Sequence, residues 1–158
     1  MPPLLTIKNL RVTFTNDGII NTVVKDINFA IEKGKITALV GESGSGKSIT
    51  ALSLLKLLPP NANATGEIFF FNFQSSTNPL HLSSKKINTI RGNSISMIFQ
   101  EPMTSLNPVL TCGRQVIEVL VKHKKYSSKV AREITIQLFE KTGLPNPEQI
   151  LKRYPHQL

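Results

Sequence analysis

The strongest chemistry in this sequence lies in eight consecutive residues, Gly41-Glu42-Ser43-Gly44-Ser45-Gly46-Lys47-Ser48. Glycines at 41, 44 and 46 let a loop bring its backbone amides against phosphate oxygens. Lys47 offers a point charge to terminal phosphates, and the Ser48 hydroxyl can ligate Mg2+. A helix starting at the lysine would add unpaired amides and the positive end of its dipole. A glycine-rich turn between strand and helix needs no ligand. The lysine in register, with a strand expected before it and a helix after it, favours nucleotide binding.

Those flanking elements are legible as patterns. Ile36 to Val40 (ITALV) is apolar throughout and reads as a strand buried on both faces. Ile49 to Leu58 reads as a helix with Leu52, Leu55 and Leu58 on one side, stopped by Pro59-Pro60. Upstream, Leu4 to Phe14 alternates loosely and ends at the turn signal Asn16-Asp17-Gly18. A second run places Ile27, Phe29 and Ile31 on one face, before the turn Glu32 to Lys35. Downstream, Gly66 leads into a strand over Ile68 to Phe73, whose Phe69, Phe71 and Phe73 share a face expected to pack in the core. Gln74 to Ser84 reads as loop, and Ile95 to Phe99 (ISMIF) as another short buried strand. From Cys112 the period becomes helical: Val116, Val119, Leu120 and His123, then Val130, Ile134 and Leu138. Ser127 or Ser128 can cap the second of these helices, and Gly143 with Pro145 ends it.

At 158 residues the chain is about one domain by the usual ~150-residue measure. Forty per cent apolar and 18% charged residues exclude a disordered or fibrous chain. The net charge of +9 permits an acidic or phosphate-bearing partner without naming it. A lone cysteine, Cys112, excludes an internal disulfide and a multi-cysteine metal site. No apolar run reaches the ~18 residues of a membrane span, and the opening MPPLLTIKNLR lacks a signal peptide's apolar stretch. Neither secretion nor membrane spanning is expected.

Weaker signals take plain readings. The run Lys122-His123-Lys124-Lys125 is expected to be a solvated helix end, and no nucleic-acid module is present to suggest a nucleic-acid partner. His81, His123 and His156 lie too far apart for a local metal motif. Hydrolysis usually needs a carboxylate at the end of a second buried strand. Neither Asp17 nor Asp26 follows such a strand, and Glu101, which does, precedes a proline and reads as a solvated loop charge. The hydrolytic apparatus is therefore expected to be incomplete.

Three stretches together carry a family likeness: GESGSGKS at 41–48, IFQEPMTSLNP at 98–108 and YPHQL at 154–158. The sequence resembles the ATP-binding subunits of ABC transporters, and among them the importer group for dipeptides, oligopeptides and nickel. The likeness extends from Leu4 to Leu158. It implies an α/β P-loop nucleotide-binding domain with an N-terminal antiparallel β subdomain and a C-terminal helical subdomain, divided here as 1–104 and 105–158. It implies ATP and Mg2+ as cofactors, with Gly41, Ser43, Gly44, Ser45, Gly46, Lys47, Ser48 and Ile49 or Thr50 around the phosphates and Ser48 on the metal. By the same resemblance Gln100 is the loop glutamine that touches Mg2+ or the attacking water. Phe14 matches the aromatic that stacks on adenine, with a core-facing strand residue as the equal alternative.

The family pattern continues after HQL with a glycine-containing signature segment, an acidic metal strand with a catalytic glutamate, and a switch histidine, which His156 is not. This sequence stops where that signature begins, so it is expected to be a fragment or a truncated copy. Such a core leaves apolar strand edges uncovered, and marginal stability with a broad or low melting transition is expected. The implied role is energising an importer, with peptide as cargo and nickel as the alternative. Integral membrane permease subunits and a second ATP-binding subunit are the implied partners, and the cytoplasmic face of the inner membrane is the implied location, held peripherally. The rival readings are a non-hydrolysing nucleotide-binding or interaction module and, more distantly, a small-molecule kinase.

Overall fold

The structure, a computed structural model, describes the chain except residues 1–2, 73–74 and 102–104. Phe73, Gln74, Pro102, Met103 and Thr104, all within motifs named above, lie outside the described residues. The chain divides into two compact units, Met1–Arg91 and Gly92–Leu158. The division falls upstream of the 104/105 boundary expected from the sequence.

The first unit is built on a four-stranded antiparallel sheet in the order β2-β1-β3-β4, from β1 (Leu5–Asn16), β2 (Ile19–Ile31), β3 (Ala62–Asn72) and β4 (Ser75–Thr77). Asp17 (φ 50°) and Gly18 (φ 77°) close β1 onto β2 as a two-residue loop, because positive φ at both positions matches the twist of the flanking strands. Leu5 and Ile7 of β1 pair with Phe70 and Ile68 of β3, and all four are buried. The core therefore takes Ile68 and Phe70. Phe69 and Phe71 point to the opposite face and stay half-exposed with ring centroids 6.4 Å apart, the Lys8 ammonium lying 5.7 Å from the Phe69 ring. The expectation that Phe69 and Phe71 pack in the core is corrected by one step of the strand's two-residue period.

Two bulges bend β1. Pairing jumps from Ile7↔Phe29 to Leu10↔Ile27 on one side, and from Lys8↔Glu67 to Arg11↔Thr65 on the other. Asn9 takes φ 49° there, and its amide donates to Asn28 Oδ1 at 2.8 Å while Asn28 Nδ2 donates to the Asp26 carbonyl at 2.7 Å. Arg11 forks onto the Asp26 carboxylate at 2.8 and 3.4 Å. The extra residue moves the buried positions from Leu5 and Ile7 to Leu10 and Val12.

Helix α1 (Lys47–Leu54) and helix α2 (Ser84–Ile90) complete this unit, burying Thr50, Ser53, Leu55, Ile87 and Ile90. The buried face of α1 is thus set by two small hydroxyl residues and Leu55, where a leucine stripe of 52, 55 and 58 was expected. Ser53 satisfies its hydroxyl on the Thr50 carbonyl at 2.6 Å. Arg91 covers the C-terminal end of α1, donating to the carbonyls of Leu55 (2.8 Å) and Lys56 (2.7 Å), where a cation also suits the dipole.

Two expected strands are not formed. Residues 36–40 and 96–99 are irregular, Ile95 makes only an isolated bridge, and neither segment joins a strand of the sheet among the described residues. Ile36 is fully exposed, Val40 is 86% exposed and Ile98 92% exposed. A segment apolar on both faces becomes a parallel strand only when neighbours bond both its edges and cover both its faces. The described residues supply neither.

The second unit packs α3 (Cys112–Lys124), α4 (Ser128–Lys141) and the short α5 (Pro147–Ile150) around Cys112, Phe139, Ile150 and Leu151. Thr111 caps α3 and Ser127 caps α4 through their hydroxyls. The buried face of α4 is Ala131, Thr135 and Phe139, one residue round from the expected Val130, Ile134 and Leu138; Val130 and Leu138 are each 40% exposed. Thr135 goes inside because its hydroxyl donates to the Ala131 carbonyl at 2.7 Å. Burial pushes the Cys112 thiol up from its ordinary pKa, so the one cysteine is a packing residue.

The start of α3 is fitted directly onto Leu151. Cys112 and Gly113 amides donate to the carbonyls of Arg153 (2.8 Å) and Leu151 (3.3 Å), and a Cβ on Gly113 would lie 2.7 Å from the Leu151 carbonyl oxygen and 2.8 Å from its Cα. Gly113→Ala is expected to destabilise this unit by about 1–3 kcal/mol through overpacking, read as a fall in urea midpoint with the slope unchanged. An unchanged midpoint would contradict this packing.

Candidate functional site

The loop from Gly41 to Gly46 is exposed apart from Gly46 itself, which caps α1 with φ 88°. Its internal order comes from the Ser45 amide donating to the Glu42 carbonyl at 3.2 Å. The helix ladder begins only with the Thr50 amide on the Gly46 carbonyl at 2.8 Å. The amides of Lys47, Ser48 and Ile49 consequently have no acceptor among the described residues. No side chain caps this helix end, and its first turn carries no acid. Three free donors and a positive dipole end face the loop.

Lys47 arches over that end. Its ammonium donates to the carbonyls of Gly41 (2.8 Å) and Glu42 (2.6 Å) and to Ser45 Oγ (3.3 Å), tying the first loop residue to the last turn before the helix. Ser48 is exposed and Ile49 half-buried. Thr50 is 1% exposed, and its hydroxyl has no hydrogen-bond partner among the described residues. Its side chain lies in the interior.

The sheet sets the height of this loop. A Cβ on Gly46 would sit 3.0 Å from Val24 Cγ2 and 3.2 Å from the Val23 carbonyl oxygen, so the loop rests directly on β2. Val23 is the extra residue where pairing passes from Val12↔Val24 to Thr13↔Thr22. Phe14 follows Leu10 and Val12 in alternation on β1 and is half-buried, on the same face as Val24. The fold thus gathers Gly41, Ser43, Gly44, Ser45, Gly46, Lys47, Ser48 and Ile49 into one loop and helix end, with Phe14 on the sheet face that meets it. Gln100 is exposed in the second unit, just after the irregular stretch 96–99. The contact of Val23 and Val24 with Gly46 was missed in the sequence. Its signal would have been the two valines four and five residues before the Asn28 that locks the β1 bulge.

Glycines, unpartnered first-turn amides and a lysine across them define a phosphate-loop protein. The chain belongs to the ABC transporter family, whose model matches residues 24–158. It is 46% identical to the dipeptide transport ATP-binding protein DppD of Bacillus subtilis, over 99% of this chain and 46% of that protein. It is 43% identical to the oligopeptide transport ATP-binding protein OppD of Salmonella typhimurium, over 98% of this chain and 45% of the relative. The chain spans about half the length of these curated relatives. Its fold is that of the bacterial ABC transporter cassette MJ0796, seen as a dimer, with a TM-score of 0.78 at 25% identity over 98% of this chain and 62% of that one. No helix among the described residues is long and apolar enough to cross a membrane.

Proposed function

We propose that this chain binds ATP through the loop at 41–48 and serves as the nucleotide-holding part of a peptide importer's ATP-binding component. The observation that carries this reading is the trio of unpartnered amides at Lys47, Ser48 and Ile49 beneath a lysine ammonium. A polyphosphate would accept from those amides and compete with the Gly41 and Glu42 carbonyls for Lys47. Such charge-assisted bonds are roughly twice as strong as neutral ones. Bound Mg2+ would screen the phosphate charges, and the exposed Ser48 hydroxyl suits it. Phe14 would lie under the adenine, and Ile49 would contribute its amide. Thr50 is assigned to packing.

Peptide cargo follows from what the relatives' names say of those proteins, and a second ATP-binding subunit from the dimer in which MJ0796 is seen; permease partners and a place on the inner face of the membrane are what the family resemblance implies. A second reading, binding without turnover by this chain, is favoured by where its aspartates lie. Asp17 closes the hairpin turn and Asp26 is engaged by Arg11.

Calorimetric titration of the purified chain with ATP, with and without Mg2+, tests the first reading, and phosphate release on the same sample separates the second. Saturable binding without sustained release is expected. A folded chain with no affinity for ATP would overturn the nucleotide assignment, whereas steady release would overturn only the second reading.

A further inference from the structure

The turn between α3 and α4 carries charge that the helices themselves do not explain. From Lys122 to Arg132 the sequence holds Lys122, Lys124, Lys125, Lys129, Arg132 and His123, and no acid. The first three lysines close the C-terminal end of α3, with Lys125 in the left-handed conformation at its cap, where cations complement the dipole. Lys129 and Arg132 do the reverse, since they occupy the first turns of α4, whose N-terminal dipole end repels positive charge. All five lysine and arginine side chains are exposed, and none has an ion-pair partner among the described residues. Apolar groups are interleaved with them: Tyr126 is 42% exposed, Val130 40% and Val121 38%. A cationic tip with an exposed tyrosine and two exposed valines matches the chemistry of a bilayer interface, where the ring sits at headgroup level and the lysines meet phosphates. Nucleic acid would draw on the same charge but would leave the valines without a role.

We infer that the α3–α4 turn, Lys122 to Arg132, is a contact site for the headgroups of an anionic lipid bilayer. The attraction amounts to roughly fivefold in partition for each lysine near the surface. Lys124 and Lys125 together therefore contribute about 25-fold. This inference does not depend on nucleotide binding, and its readout is separate.

The test is flotation of the purified full chain with vesicles of phosphatidylcholine alone or of phosphatidylcholine mixed with phosphatidylglycerol. Binding is expected only to the mixed vesicles, falling as salt is raised. Lys124→Gln/Lys125→Gln should weaken it about 25-fold. Lys85→Gln/Lys86→Gln, which removes the same charge from exposed positions of α2 in the other unit, should leave it nearly unchanged. Equal losses in the two variants would overturn the local site in favour of net charge. Binding to duplex DNA as tight as to the mixed vesicles, and equally sensitive to Lys124→Gln/Lys125→Gln, would overturn the lipid assignment. Helical circular dichroism shared by all variants excludes unfolding as the cause of any loss.

Discussion

Gly66→Ala is expected to lower the stability of the first unit by about 4 kcal/mol, enough to unfold a marginal domain. Two costs combine at this position. Gly66 has φ 108°, a backbone conformation that side chains rarely adopt. The added Cβ would also be driven into the Asn9 carbonyl oxygen, with the Asn9 carbonyl carbon 2.8 Å and the Lys8 oxygen 2.9 Å away. All three are backbone atoms, so no rotamer change relieves the clash. They are close because β1 bulges at Asn9 just where β3 passes, between the pairs Lys8↔Glu67 and Arg11↔Thr65. Chemical denaturation followed by circular dichroism should show the loss. A change within a few tenths of a kcal/mol would mean that the β1 bulge is not rigid in solution. Gly18→Ala is the informative control: that turn has open space for a Cβ, so only its positive φ is penalised, by about 1 kcal/mol.

This bulge also explains what could be read in the sequence and what could not. The strand over Leu4 to Phe14, its hairpin turn and a glycine-rich loop leading into a helix were all legible, because each rests on residue types that local backbone geometry demands. The alternation within that strand looked loose because it is two regular alternations, Leu5 and Ile7, then Leu10 and Val12, separated by Asn9. No single-residue propensity marks such a phase slip. The α4 face was misplaced for a related reason: Thr135 is polar by type yet buried by its bond to Ala131, while Val130 and Leu138 are apolar yet half in solvent. Helix α2 went unread because its signals, Ser83 as cap and Ile87 with Ile90, sit within a polar stretch. The segments ITALV and ISMIF were read by composition as buried strands, but burial is a property of neighbours. A strand of that kind is specified only together with the strands beside it, and sequence pattern within the segment cannot supply them.

Lys47→Ala is expected to reduce Mg-ATP affinity by at least tenfold and up to about 150-fold, corresponding to loss of a charged hydrogen-bonding partner worth about 1.5–3 kcal/mol. Stability should barely move. The lysine's present partners, the Gly41 and Glu42 carbonyls and Ser45 Oγ, are in an exposed loop where water can replace the ammonium. That separation of affinity from stability is the diagnostic, since a merely structural lysine would show the opposite. Lys47→Arg refines the test. Its planar fork cannot place one compact charge between two carbonyls and a phosphate, so it should recover only part of the affinity despite keeping the charge. Ser48→Ala should behave differently again, lowering affinity in the presence of Mg2+ and leaving metal-free binding almost unchanged, because only the hydroxyl is lost while the three free amides stay in place. If Lys47→Ala binds ATP as tightly as the parent chain, the ammonium is a loop tie and the amides at 47–49 are not a phosphate cradle. If instead affinity and melting temperature fall together, the loop is part of the fold's support, and the nucleotide site must be sought elsewhere on the sheet.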